Sequence, residues 1–64
     1  MTQKELLYYE DAVSHEQILI SVCEDMQENF EDEELKSFAE QEISTHTSIK
    51  ERLLNLMEEK ANEW

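Results

Sequence analysis

The chain is 64 residues long and carries 17 Asp and Glu against 5 Lys and Arg, a formal net charge of −12, with no Gly, no Pro and one Cys. Without glycine it has no Walker loop, no dinucleotide-binding fingerprint and no tight type I′ or II′ hairpin, because each needs positive φ or close backbone approach. One cysteine gives neither an intramolecular disulfide nor a structural zinc set, and the acidity repels nucleic-acid phosphates and anionic membrane surfaces.

The partners left open by that charge are basic proteins, cations and further copies of the chain. Met1-Thr2-Gln3-Lys4-Glu5 is not a basic segment leading into an apolar run, and no stretch approaches the ~18 apolar residues of a membrane span. The expectation is a soluble, cytoplasmic, single-domain chain with no membrane association. A chain this short buries only about 60% of its unfolded surface, so it either folds marginally or shares a core with a partner.

The first predicted element is a helix over about residues 3–29. Thr2 and Glu5 form a Thr-x-x-Glu capping box at its start. Tyr8, Ala12, His15, Leu19, Val22 and Met26 make a stripe spaced four, three, four, three and four, widened by Leu6, Tyr9, Val13, Ile20 and Cys23. Asn29, a good left-handed C-terminal residue, marks the stop.

A connection over about residues 29–32 follows, short enough to force an antiparallel hairpin. Asp32 is the expected N-cap of a second helix over about residues 33–61, with Glu33 and Glu34 in the first turn, where the macrodipole favours negative charge. Its expected stripe is Leu35, Phe38, Glu42, His46, Ile49, Leu53, Leu56 and Lys60, flanked by Ala39, Ile43, Leu54 and Met57.

Two such rods, each about 40 Å long at 1.5 Å per residue, cannot enclose a core between themselves. Leu6, Ile18, Ile20, Leu54 and Trp64 exceed what one hairpin's surface should carry. The expected fold is therefore all-α: an antiparallel two-helix hairpin that dimerises into a four-helix bundle. Residues 1–30 and 31–64 each net −6, so the acidity is spread over a solvated outer face.

With the turn centred near residues 30 and 31, residues level with each other sum to about 61. That sets His15 opposite His46, Leu19 opposite Glu42, Ala12 opposite Ile49 and Tyr8 opposite Leu53. Both histidines then fall at the middle of the inward stripe. Glu42 and His46 lie one turn apart on one face, as do Asp11 and His15, and Glu16 sits beside the stripe.

A cluster of His15, His46, Glu42 and Glu16 could hold zinc, iron or manganese, with outer carboxylates orienting the imidazoles. The same cluster could equally be a hydrogen-bonded polar layer that fixes register and partner choice. Cys23 reads as a small core residue, since nothing basic nearby stabilises its thiolate. Ser44, Thr45, Thr47 and Ser48 surround His46 on one continuous helix with no oxyanion-hole loop, so no catalytic residue is expected. Tyr8 and Tyr9 read as core-edge residues, and Trp64 as packing across the bundle end. An acidic regulator that mimics nucleic acid remains a third class, although such mimics concentrate charge in one stripe.

The string Gln3-Lys4-Glu5-Leu6-Leu7-Tyr8-Tyr9-Glu10-Asp11-Ala12-Val13-Ser14-His15-Glu16, with Asp32-x-Glu34-Leu35-Lys36-x-Phe38 and Glu42-x-x-x-His46, resembles the small spore-coat proteins related to the Coat F family of endospore-forming bacteria. The resemblance covers nearly the whole chain. It implies a ferritin-like helical bundle of which this chain supplies one two-helix half, and a non-enzymatic, sporulation-related role in spore-coat assembly, with other coat proteins as partners. Ferritin-like di-metal sites use Glu-x-x-His, whereas the residue three before His46 is Ile43. A variant set would draw on Glu42 with Glu10 or Glu16.

Overall fold

The computed structural model describes residues 1–61. Helix α1 spans Gln3–Asn29 and helix α2 spans Glu33–Ala61. They pack side by side as an antiparallel hairpin of 49 × 15 × 11 Å. The bundle end expected for Trp64 lies outside the described residues.

Both N-termini are capped by their own sequence. The Glu5 amide donates to Thr2 Oγ1 at 3.1 Å, and the Thr2 amide donates to Glu5 Oε1 at 2.7 Å. Two amide donors that lack intrahelical partners are satisfied reciprocally. The backbone hydrogen bond from Thr2, then its hydroxyl, hold the Glu5 carboxyl below the ordinary value of 4.5. At α2 the Leu35 amide donates to Asp32 Oδ1 at 3.0 Å, with Glu33 and Glu34 in the first turn and Lys60 in the last, as the macrodipole favours.

The end of α1 differs from expectation. No described residue has positive φ, so Asn29 is not a left-handed cap. Asn29 stays helical and its Nδ2 donates to the Asp25 carbonyl at 2.8 Å. Phe30 leaves the helix in extended backbone while its amide still donates to the Met26 carbonyl at 2.9 Å. A side-chain amide thus occupies a terminal carbonyl that a left-handed residue would otherwise have served.

The seam between the helices is displaced by about one residue from the predicted stripe. In α1 the seam runs Leu6, Tyr9, Val13, Glu16, Ile20, Cys23 and Gln27, all half-buried or buried, with Ala12 and Met26 half-buried beside it. In α2 it runs Lys36, Ala39, Ile43, His46, Lys50, Leu53 and Met57, with Glu42, Thr47, Leu56 and Ala61 also half-buried. Both runs alternate spacings of three and four, the repeat of two helices held along one contact line. Residues expected only to flank the first stripe therefore form the contact, while Tyr8, Leu19 and Val22 are exposed.

Among the described residues only Ile20, Cys23 and Ala39 are buried, and Ala39 alone has 0% exposure. Five of the fourteen seam positions named above are polar (Glu16, Gln27, Lys36, His46 and Lys50). They contribute aliphatic stems but no full burial.

Most of the apolar residues that miss the seam collect on one side of it, Leu7, Ile18 and Leu54 excepted. Equivalent positions of two antiparallel helices fall on the same side of their contact, because a two-fold axis between the helices relates them. Positions one before the seam therefore line up as Glu5, Tyr8, Ala12, His15, Leu19, Val22 and Met26 in α1 and Leu35, Phe38, Glu42, Thr45, Ile49, Arg52 and Leu56 in α2. The other side carries Glu10, Gln17, Glu24, Glu40 and Thr47, with Leu7 and Leu54 its apolar members. The hairpin thus has an apolar side and a polar side.

Candidate functional site

The middle of the seam is a polar layer built by both helices. Glu16 from α1 reaches His46 from α2, and its Oε2 accepts a hydrogen bond from the His46 ring at Nδ1. On the other edge of the ring, Nε2 lies 3.2 Å from Oε2 of Glu42, one turn earlier on α2. Side-chain exposures are 21% for His46, 16% for Glu16 and 34% for Glu42, so the ring is flanked by carboxylates in a half-dry setting.

An imidazole donates from both nitrogens only when protonated. Two carboxylate acceptors therefore favour the imidazolium, and the His46 pKa is raised above 6.5. The hydrogen bond to Glu16 is the largest cause; partial burial opposes it, and the charges of Glu16 and Glu42 reinforce it. One turn further along, Lys50 Nζ donates to Gln17 Oε1 at 2.8 Å, a second cross-link between the helices.

The predicted cluster is thus assembled in part. His46, Glu42 and Glu16 come together. His15 does not join them; it is exposed on the apolar side. The correction follows from register: with Glu16 against His46, level residues sum to about 62, a turn centre half a residue later than expected. A shift of one position on a helix turns a side chain by about 100°, which moves His15 out of the seam and Glu16 into it.

Among the described residues no group of three or more His, Cys, Asp or Glu side chains is arranged to hold a metal ion. Within this layer the two nitrogens of His46 face different carboxylates, Glu16 and Glu42. Glu10 is exposed on the polar side, away from the layer. Cys23 is a buried free thiol in the seam. Ser44, Thr45 and Ser48 are exposed on α2 and Thr47 is half-buried.

Beside this layer, on the apolar side, a shallow groove between the helices is lined by Tyr8, Tyr9, Ala12 and Leu53. Tyr8 stands out of it at 66% exposure. No described helix is long and apolar enough to cross a membrane. Comparison with known proteins finds no matching family model, no matching curated protein and no matching solved structure.

Proposed function

We propose that this chain is a non-enzymatic assembly protein, a hairpin that pairs with a second copy through its apolar side to make a four-helix bundle with an acidic exterior. One observation carries the reading. The accessible surface is 5024 Å², about 700 Å² more than the ~4300 Å² of a compact monomer of 7.7 kDa. The excess is close to the ~800 Å² per partner of a standard protein interface. The radius of gyration agrees, at 14.7 Å against about 11 Å for a compact chain of this length.

The resemblance to Coat F proteins supports a spore-coat setting for this assembly and a ferritin-like bundle as its form. The outer acids then offer a surface to other coat proteins or to basic proteins, and the same charge disfavours nucleic acid and anionic membranes. The test is sedimentation equilibrium of untagged protein between 5 and 500 μM (roughly the span over which micromolar affinities show). Dimers are expected, and a monomer throughout would end this reading.

A second reading, metal binding by the bundle, draws its support from Glu16, Glu42 and His46 meeting from two helices. It predicts bound zinc, iron or manganese in protein purified without chelator, weakened as His46 protonates, and lost in His46→Ala with the helices intact. Metal-free protein from cells supplied with all three ions would remove it.

A further inference from the structure

Charge is divided unevenly along the hairpin. Residues 17–46, the half that carries the turn, hold nine acids and one base, a formal −8. Residues 1–16 and 47–61, the open half, hold seven acids and four bases, a formal −3. The apolar side is also asymmetric: Arg52 is its one base, five residues after the midpoint of α2, and Glu42 lies five residues before that midpoint.

We infer that the second copy docks on the apolar side with its turn at the opposite end, about a two-fold axis that crosses the helices at their midpoints. The inference rests on the assembly reading and adds its geometry. Two symmetric pairings keep every neighbouring helix antiparallel, one with both turns at the same end and one with the turns at opposite ends. The first sets the two −8 halves side by side at helix spacings of about 10 Å. That is close to the Debye length, about 8 Å at physiological salt, so repulsion is weakened but not abolished. The second sets each −8 half against a −3 half, and the two turns stand a full helix length apart, beyond the reach of screened charge.

The single base on the face makes the same choice. With turns opposed, α2 lies antiparallel on α2 of the second copy, and residues equidistant from the midpoint meet. Arg52 is then level with Glu42 of the second copy, and symmetry makes that contact twice. Glu42 uses Oε2 toward His46, so its other oxygen is available to Arg52. Phe38 is level with Leu56 of the second copy in the same arrangement, apolar against apolar. With both turns at one end, Arg52 is instead level with Tyr8 and Ala12, and the acid of that side, Glu5, lies more than a turn beyond that level with its Oε1 already accepting from the Thr2 amide.

A spin label at the turn separates the two arrangements. In Cys23→Ala protein carrying Glu31→Cys, double electron–electron resonance should read about 40 Å or more between the labels of a dimer, the length of the helices. A turn-to-turn distance under about 25 Å, the scale of two adjacent helix spacings, overturns the opposed pairing while leaving the dimer standing. Protein that sediments as a monomer at every concentration overturns both the pairing and the assembly reading.

The face is tested separately. Phe38 is 53% exposed in the hairpin, so Phe38→Glu leaves the seam intact. It should raise the dimer dissociation constant by about 100-fold or more. Ser44→Glu, on the polar side, should change it by no more than about twofold. Arg52→Glu should weaken the dimer by about tenfold. An unchanged dissociation constant in Phe38→Glu overturns the face, and one in Arg52→Glu overturns the Glu42 contact. If Phe38→Glu loses its helical circular dichroism, the spin-label distance, measured on an unaltered face, decides.

Discussion

Tenfold dilution should lower the thermal unfolding midpoint by about 5 °C. The perturbation leaves the covalent structure alone and acts only on the shared surface. If two folded chains give two unfolded ones, a tenfold change in concentration shifts the free energy per dimer by about 1.4 kcal/mol. Unfolding of globular proteins carries about 2.1 cal/mol/K per residue. Two chains of 64 residues therefore have an unfolding entropy of about 0.27 kcal/mol/K per dimer. The quotient is about 5 °C per decade, or about 10 °C over two decades. Circular dichroism at 222 nm (roughly the helix minimum), followed through thermal scans in cells of different path length, reads it directly. Superimposable scans across that range would refute the shared-core argument, because a hairpin that buries only Ile20, Cys23 and Ala39 among its described residues would then be stable by itself.

The polar layer predicts a pH dependence. His46 has its pKa raised in the fold, so the stability it contributes is full below about 6.5, the unfolded value, and is lost as pH rises through the folded one. The urea midpoint should fall between about pH 6 and pH 9, and His46→Gln should flatten that fall; an undiminished slope in the variant would assign it to other groups. Asp32→Ala removes the acceptor of the Leu35 amide and should cost about 1 kcal/mol, read as a lower urea midpoint, with Asp32→Asn nearly neutral. Ala39→Leu forces three carbons into a position with no exposure and should cost about 1–3 kcal/mol; a gain in stability would mean that the seam at Ala39 is loosely packed.

The hairpin was legible because its local signals agree. Thr2 with Glu5, and Asp32 with Glu33 and Glu34, are cap chemistry that acts within four residues and needs no knowledge of the partner helix. Which of two adjacent stripes forms the seam was not legible. Tyr8, Leu19, Val22, Phe38 and Ile49 rival or outweigh in hydrophobicity Tyr9, Ile20, Cys23, Ala39 and Lys50 beside them, and the contact line further includes Glu16, Gln27, Lys36 and His46. A hydrophobic pattern reports the total apolar surface, the part left for a partner included. The displaced histidine pairing has a similar cause, since half a residue in the turn centre exchanges His15 for Glu16. The repeat does not separate them: Leu6, Tyr9, Val13, Glu16, Ile20 and Cys23 alternate three and four, and so do Tyr8, Ala12, His15, Leu19, Val22 and Met26.

The short connection between α1 and α2 also shapes how the hairpin forms in time. Level residues sum to about 62, so near the turn Gln27 meets Lys36 across a span of nine residues, whereas at the open end Leu6 meets Met57 across fifty-one. Closing the longer loop first costs more chain entropy, and each contact made near the turn shortens the remaining closure. Zippering from the capped turn outward is thus the cheapest route. With helix growth on the scale of nanoseconds per residue, the fold can assemble its first half before the ends have met.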